Sequence, residues 1–430
     1  MGDWLPADHR VHKQWLGGVI DHVDKNPKDF HPVIKEFQQL IENDSRLYML
    51  IQQMFDEVPN KKPYSNDPTG GSQVRDYQHM LALLNHLLTT APMWNDKGEA
   101  VGMVGLPIQA VLDWPMGTPS GFAAFQDPQV NAMMKKVLNT WGEFLLTQES
   151  ADQVLHDNAQ GWFNHTGKTD LETVANKAAN QNHKFEDLFE CDPSASCHGY
   201  KSWDHFFTRL FRDGMRPLAG PNDDNVIANA CESKPFNTAY NCSLRDKFWN
   251  KKQPYSIQDT CAHDPLATHF DGGTVYQAFL SALSYHRWHS PVSGTVKKAF
   301  VVGGTYYSEP LWEGLGDPEK RNDSIDEAGE DTCQGYLAHM AARAVIFIEA
   351  DNPRIGLMAF IGIGMDEVST CDITVKEGEH IEKGQQTGMF HFGGSTHCLL
   401  FRKDTKLEGF PKAGTEHNIP VRSQVAVVKN

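Results

Sequence analysis

The sequence is short of positive charge: 39 Lys and Arg stand against 55 Asp and Glu, a formal net charge of −16 at pH 7. That balance argues against a surface built for nucleic acid or anionic lipid headgroups, both of which are held by basic patches. Long hydrophobic runs are missing too. The longest near-apolar stretch, 355–365, is far short of the roughly 20 residues a membrane-spanning helix needs. The N-terminus, Met1-Gly2-Asp3-Trp4-Leu5-Pro6, lacks the basic-then-apolar pattern of a signal peptide, and Pro6 breaks the myristoylation pattern. Eight cysteines (Cys191, Cys197, Cys231, Cys242, Cys261, Cys333, Cys371 and Cys398) include no metal-type pair, because even Cys191 and Cys197 are separated by five residues. Sequons at Asn43, Asn164, Asn241 and Asn322 carry little weight without a secretory leader. The expectation is a cytoplasmic protein with reduced thiols, no metal site, no nucleic-acid partner and no integral membrane association.

What is present divides the chain in two. The 430 residues, 40% of them hydrophobic, are enough for two or three domains with a sizeable core. In the first half, Tyr77, Met80, Leu81, Leu84, Leu87 and Leu88 recur at helical spacing, with Pro92 soon after. Asp127-Pro128 reads as an N-cap with proline in the first turn, opening a helix whose inner face is Val130, Met133, Met134, Val137, Leu138, Trp141 and Leu145. Val33, Phe37, Leu40 and Ile41, then Leu47, Leu50, Ile51, Met54 and Phe55, predict one or two more helices. These stripes read as core packing. The polar stretch 61–72 reads as a loop. Past Arg216-Pro217, short β-like runs take over at 226–230, 295–302, 344–349, 355–363, 371–375, 387–392, 398–401 and 421–428, separated by Gly, Pro and Asn/Asp turns. The acidic stretch 313–334 has no EF-hand spacing and reads as a solvated loop.

Two motifs carry chemistry. One is Met389-Phe390-His391-Phe392-Gly393-Gly394-Ser395-Thr396; the other is Tyr285-His286-Arg287-Trp288-His289-Ser290-Pro291, about a hundred residues upstream. Glycine pairs usually mark only a turn. Joined to the two-histidine motif, however, Gly-Gly-Ser resembles the phosphatidylserine decarboxylase family, whose members cleave themselves at a Gly-Ser bond and convert the serine to a pyruvoyl group. Trp203 to Arg209, Arg216-Pro217-Leu218 and Gly303 to Pro310 extend the likeness, so specific motifs run from about residue 202 to the C-terminus.

The resemblance implies an α+β protein. A helical N-terminal domain, 1–200, precedes a β-rich catalytic domain, 201–430, which carries a lipoyl-like hammerhead segment and is cut between Gly394 and Ser395. It implies a pyruvoyl cofactor derived from Ser395, with no pyridoxal phosphate, and two self-derived fragments held together. A homodimer is compatible with it. His289 takes the self-processing role in such a scheme and His286 the decarboxylation role. The third member of the triad departs from the family's Pro-Ala-Asp-Gly: this chain reads Ala230-Cys231-Glu232-Ser233, so Glu232 would supply the carboxylate, with Asp223 and Asp224 as competitors and an ordinary strand-end residue as the bland alternative.

Ala-Cys-Glu-Ser, Tyr-His-Arg-Trp-His and Gly-Met-Phe-His-Phe-Gly-Gly-Ser are similar to the soluble fungal branch of the family. That implies a free aromatic L-amino acid as substrate, L-tryptophan first and then L-tyrosine or L-phenylalanine, decarboxylated through a Schiff base. Tyr306, Tyr307, Trp288 and Phe392 are then candidates for an aromatic pocket. Two alternatives stay open: a phosphatidylserine decarboxylase forming phosphatidylethanolamine, and a non-catalytic lipoyl-like module suggested by the turn at Lys383-Gly384-Gln385.

Overall fold

The computed structural model describes residues 9–58, 74–94, 106–248, 254–308, 310, 333–367 and 370–429. The 61–72 stretch and nearly all of the acidic stretch lie outside them; Gln334, at the end of the latter, opens a short helix. Two compact units emerge, one of Met1–Asn164, Lys201–Trp203 and Thr305–Leu337, the other of His165–Tyr200, Asp204–Gly304 and Ala338–Asn430.

The first unit is helical: α1 (His9–Lys25), α2 (Pro32–Asn43), α3 (Ser45–Asp56), α4 (Tyr77–Leu87), α5 (Pro107–Met116), α6 (Pro119–Phe125), α7 (Pro128–Leu145) and α8 (Gln148–Val154). The local chemistry is legible at α7. The Asp127 carboxylate caps it by accepting from the N–H groups of Gln129 and Val130, an interaction worth about 1 kcal/mol. All seven residues of its anticipated inner face are buried. Each such aliphatic side chain contributes roughly 1.5–3 kcal/mol through removal from water.

The second unit is built on β-sheets. Its strands are β1 (Val226–Ala228), β2 (Lys234–Cys242), β3 (Gly273–Leu280), β4 (Arg287–His289), β5 (Gly294–Val302), β6 (Arg343–Ala350), β7 (Leu357–Gly364), β8 (Thr370–Ile373), β9 (His380–Ile381), β10 (Gln386–His391), β11 (Ser395–Phe401), β12 (Leu407–Glu408) and β13 (Gln424–Val428). A seven-stranded sheet runs β2-β3-β11-β7-β6-β5-β9, and two three-stranded sheets run β4-β10-β8 and β1-β13-β12. β11 pairs antiparallel with β3 on one side and β7 on the other. Both of its faces are buried, although its first three residues, Ser395, Thr396 and His397, are polar.

Between the sheets the core includes Tyr276, Trp288, Phe360, Phe390, Leu399 and Phe401. Two glycines make room for the Trp288 indole. A Cβ on Gly388 would meet that ring at 2.5 Å, and one on Gly362 at 3.1 Å. The stretch expected to form a hammerhead is not a separate segment here: 380–401 supplies β9, β10 and β11 to two different sheets.

Candidate active site

Ser395 is the first residue of β11. The turn ends just before it, at Phe392 (φ 58°) and Gly393 (φ 120°). Glycine is at home at such a φ and phenylalanine is not, so the loop stores backbone strain immediately upstream of the serine. Ser395 lies opposite Leu280 of β3 and Gly364 of β7. It is fully buried, and its Oγ reaches no hydrogen-bond partner among the described residues. The carbonyl of Gly394 accepts the Met365 N–H at 3.3 Å.

His286 lies against this loop. Its carbonyl accepts the Phe390 N–H at 3.0 Å, and backbone of Gly393, Ser281 and Ser284 lies beside its ring. The ring is stacked on Phe207, with centroids 3.9 Å apart and an interplanar angle of 19°. It is fully buried, and neither nitrogen has a hydrogen-bond partner among the described residues. Burial, reinforced by the Arg209 guanidinium, holds its pKa well below the usual imidazole value. The imidazole is therefore neutral at neutral pH. Arg209 is itself buried and donates to the carbonyls of Leu283 (2.7 Å) and Ser284 (3.2 Å), fixing the loop that leads into the motif.

His289 is held differently. Its Nδ1 lies 2.9 Å from the Gly384 carbonyl and its Nε2 3.2 Å from the Tyr285 hydroxyl. Burial pushes its pKa down to about 4. Glu232 is also committed. Arg216 donates to both of its oxygens, through Nε to Oε2 at 2.9 Å and through Nη2 to Oε1 at 2.6 Å, and the Val421 N–H reaches Oε2 at 2.7 Å. Asp223 and Asp224 are exposed in the turn before β1, where Asp223 accepts from the Asn225 N–H at 3.0 Å. The structure thus brings His286 to the Gly393 backbone, while the polar atoms of His289 and Glu232 are bonded elsewhere.

The four aromatic candidates fall into both units. Tyr306 and Tyr307 belong to the helical one. There the Tyr306 N–H donates to Asn131 at 3.1 Å and the Tyr307 ring packs edge-on to Phe125. Trp288 is buried in the β core against Phe360 and Phe390, and Phe392 is buried in the turn.

Sequence reasoning missed the pair Asp204–His391. Asp204 Oδ1 lies 2.6 Å from His391 Nδ1, four residues before Ser395. Asp204 and Phe207 come from one short helix, α11 when α9 (His165–Ala179) and α10 (Phe185–Leu188) are counted, spanning Trp203–Phe207. That helix therefore holds His391 with a carboxylate and His286 with a ring face. The aromatic-rich segment 203–209 carried the only sequence signal for it.

A buried hydroxyl without a partner among the described residues thus follows a turn with left-handed backbone, and a neutral imidazole lies against the same turn. Residues 31–171 and 203–422 each match a family described as phosphatidylserine decarboxylase. An L-tryptophan decarboxylase of Psilocybe cubensis is 33% identical over 99% of this chain and 94% of its own length. The decarboxylase iboD of Amanita muscaria is 43% identical over 69% of this chain and 84% of its own. A phosphatidylserine decarboxylase proenzyme of Schizosaccharomyces pombe is 26% identical over 51% of this chain and 20% of its own. On these similarities the chain belongs to the phosphatidylserine decarboxylase family and is a carboxy-lyase.

Proposed function

We propose that the chain cuts itself between Gly394 and Ser395 and uses the pyruvoyl group formed at position 395 to decarboxylate a free aromatic L-amino acid, L-tryptophan before L-tyrosine or L-phenylalanine. The observation that carries the reading is the partnerless Ser395 Oγ at the end of a strained turn, with the neutral ring of His286 against the Gly393 backbone. An orphaned buried hydroxyl costs about 1–3 kcal/mol, a penalty that its consumption in maturation would explain. The family points to a self-derived cofactor of this kind, and the serine's surroundings fit it.

Once formed, the pyruvoyl carbonyl supplies an electrophile for the substrate amine and a sink for the electrons released with CO₂. The chain's own residues do the rest. Burial of Ser395 and His286 excludes water. His286 takes the hydroxyl proton during maturation and returns a proton to the substrate carbon during turnover. The resemblance assigns maturation to His289; this reading moves it to His286, because the ring nitrogens of His289 are bonded to Gly384 and Tyr285. Phe392, in the cleavage turn, is the ring of the four aromatic candidates that supports an aromatic substrate most directly.

Support for the substrate comes from the relatives aligned over most of their length, two of which are L-tryptophan decarboxylases. The phosphatidylserine decarboxylase proenzymes among the relatives align over only about half of this chain. No helix among the described residues is long and apolar enough to cross a membrane. A cytoplasmic location goes with this reading, as does retention of both fragments in one body. A carrier module is disfavoured because Lys383, the lysine of the hammerhead-like turn, has its Nζ enclosed by the carbonyls of Gly220, Asp223 and Val226.

The test is a decarboxylation assay over free amino acids without added pyridoxal phosphate, with phosphatidylserine vesicles as comparison. Tryptamine release from L-tryptophan is the expected result. Activity confined to phosphatidylserine would replace this reading with its rival.

A further inference from the structure

We propose that the backbone N–H of Met365 is the oxyanion donor for self-cleavage. The inference deepens the self-cleavage reading and rests on it. The Met365 N–H is already bonded to the Gly394 carbonyl, the group that the serine must attack. At 3.3 Å the bond is long for a resting amide pair. It has room to shorten as negative charge gathers on that oxygen, which is the condition for stabilising a transition state more than a ground state.

The donor's position is set by the sheet. Seven consecutive register pairs, from Phe401↔Met358 to Ser395↔Gly364, lock β11 to β7, and the Met365–Gly394 rung follows directly at the open end. Both chains then leave the ladder. Asp366 turns off at φ 54°, and Phe392 and Gly393 turn off at φ 58° and 120°. Gly364, opposite Ser395, places no side chain beside the hydroxyl. On the other flank Ser395 is paired with Leu280 of β3, so the scissile peptide is held from both sides. A donor on a framed strand end needs no reorganisation when the charge develops.

The balanced sequence is short. Ser395 Oγ bonds to the Gly394 carbonyl carbon, its proton leaves to a base, and the carbonyl oxygen carries the charge that the Met365 N–H faces. The intermediate collapses with cleavage of the C–N bond, and the proton returns to the Ser395 nitrogen, leaving an ester and a free amine. Removal of the Ser395 α-proton then expels the Gly394 carboxylate. The resulting dehydroalanine takes up one water and loses ammonia to give the ketone. Only the first of these steps uses the Met365 donor.

The experiment follows precursor loss by intact mass in freshly synthesised chain. Met365→Ala keeps the N–H and sets the baseline for loss of the buried side chain alone. Met365→Pro removes it and should mature about 10²–10³-fold more slowly, the usual effect of losing one oxyanion donor. Because proline can also unfold the strand end, a second variant carries the α-hydroxy analogue of methionine at 365, which replaces N–H by oxygen alone. With a cooperative melt, that variant should show the same slow maturation, and its small matured fraction should turn over normally per pyruvoyl group. Wild-type maturation in the folded ester variant would overturn the inference and leave the self-cleavage reading intact. A wild-type chain that never matures would overturn the reading itself.

Discussion

The imidazole of His286 lies flat against the ring of Phe207, 3.9 Å between centroids, and this face-to-face contact fixes a histidine that lies beside the Gly393 turn. Phe207→Leu keeps an apolar side chain at the site but removes the flat face. An aromatic pair contributes about 0.5–1.5 kcal/mol beyond area, so turnover should fall about threefold to tenfold while folding is largely retained. Steady-state kinetics beside a thermal melt decide it; unchanged kcat/KM would mean the stack only fills space.

Intact mass separates the two histidines. His286→Ala should accumulate full-length chain, and whatever matures should turn over about 10²–10⁴-fold more slowly for want of its proton-transfer group. His289→Ala should mature at close to the wild-type rate and melt lower, because it loses bonds to Gly384 and Tyr285. An uncleaved, well-folded His289 variant would return maturation to the family's assignment.

The buried Arg216–Glu232 pair predicts a stability effect. Glu232→Gln leaves the guanidinium without its counter-charge and should cost about 3–5 kcal/mol in denaturant unfolding. Replacing both partners together, Arg216→Met with Glu232→Leu, should recover much of that loss and restore maturation. A double variant that folds yet stays uncleaved would show that Glu232 serves the processing chemistry directly.

Stability should also depend on pH in a defined window. Burial pushes His289 down to about 4 and His397 to about 3, against an ordinary 6.5, and His286 lies well below it too. The unfolded chain binds protons that the native imidazoles refuse, so stability is full above pH ~6.5 and falls as the pH drops toward 4. His289 alone accounts for on the order of 3 kcal/mol across that window. A melting temperature flat between pH 6.5 and 4 would contradict the burial of these rings.

Much of this was legible in the chain itself. The α7 face announces itself through local spacing, and the Gly-Gly-Ser and two-histidine motifs through resemblance to a family, because a helical stripe and a motif are each written in consecutive residues. Pairings between distant residues are not. Arg216 reaches Glu232 across 16 positions and Asp204 reaches His391 across 187, and nothing local in either partner names the other. β2 escaped notice because Pro235, Asn237 and Asn241 interrupt its alternation, although β3 accepts it with two register shifts. The glycine pair hid the start of β11, since Gly-Gly reads as a turn that continues through the serine. The Met365 donor left no trace at all, being a backbone group that any residue but proline supplies.

The place of Ser395 at the head of β11 has a consequence for the life of the molecule. On the proposed reading, cleavage leaves the chain 395–430 as a separate polypeptide whose first strand is threaded between β3 and β7. Folding of the precursor is a unimolecular event; refolding of the matured protein is an encounter between two chains and slows with dilution. Maturation is therefore a one-way passage. An unfolded mature molecule has lost both its covalent tether and the peptide bond that could make a second electrophile, so each copy has a single opportunity to assemble its own cofactor.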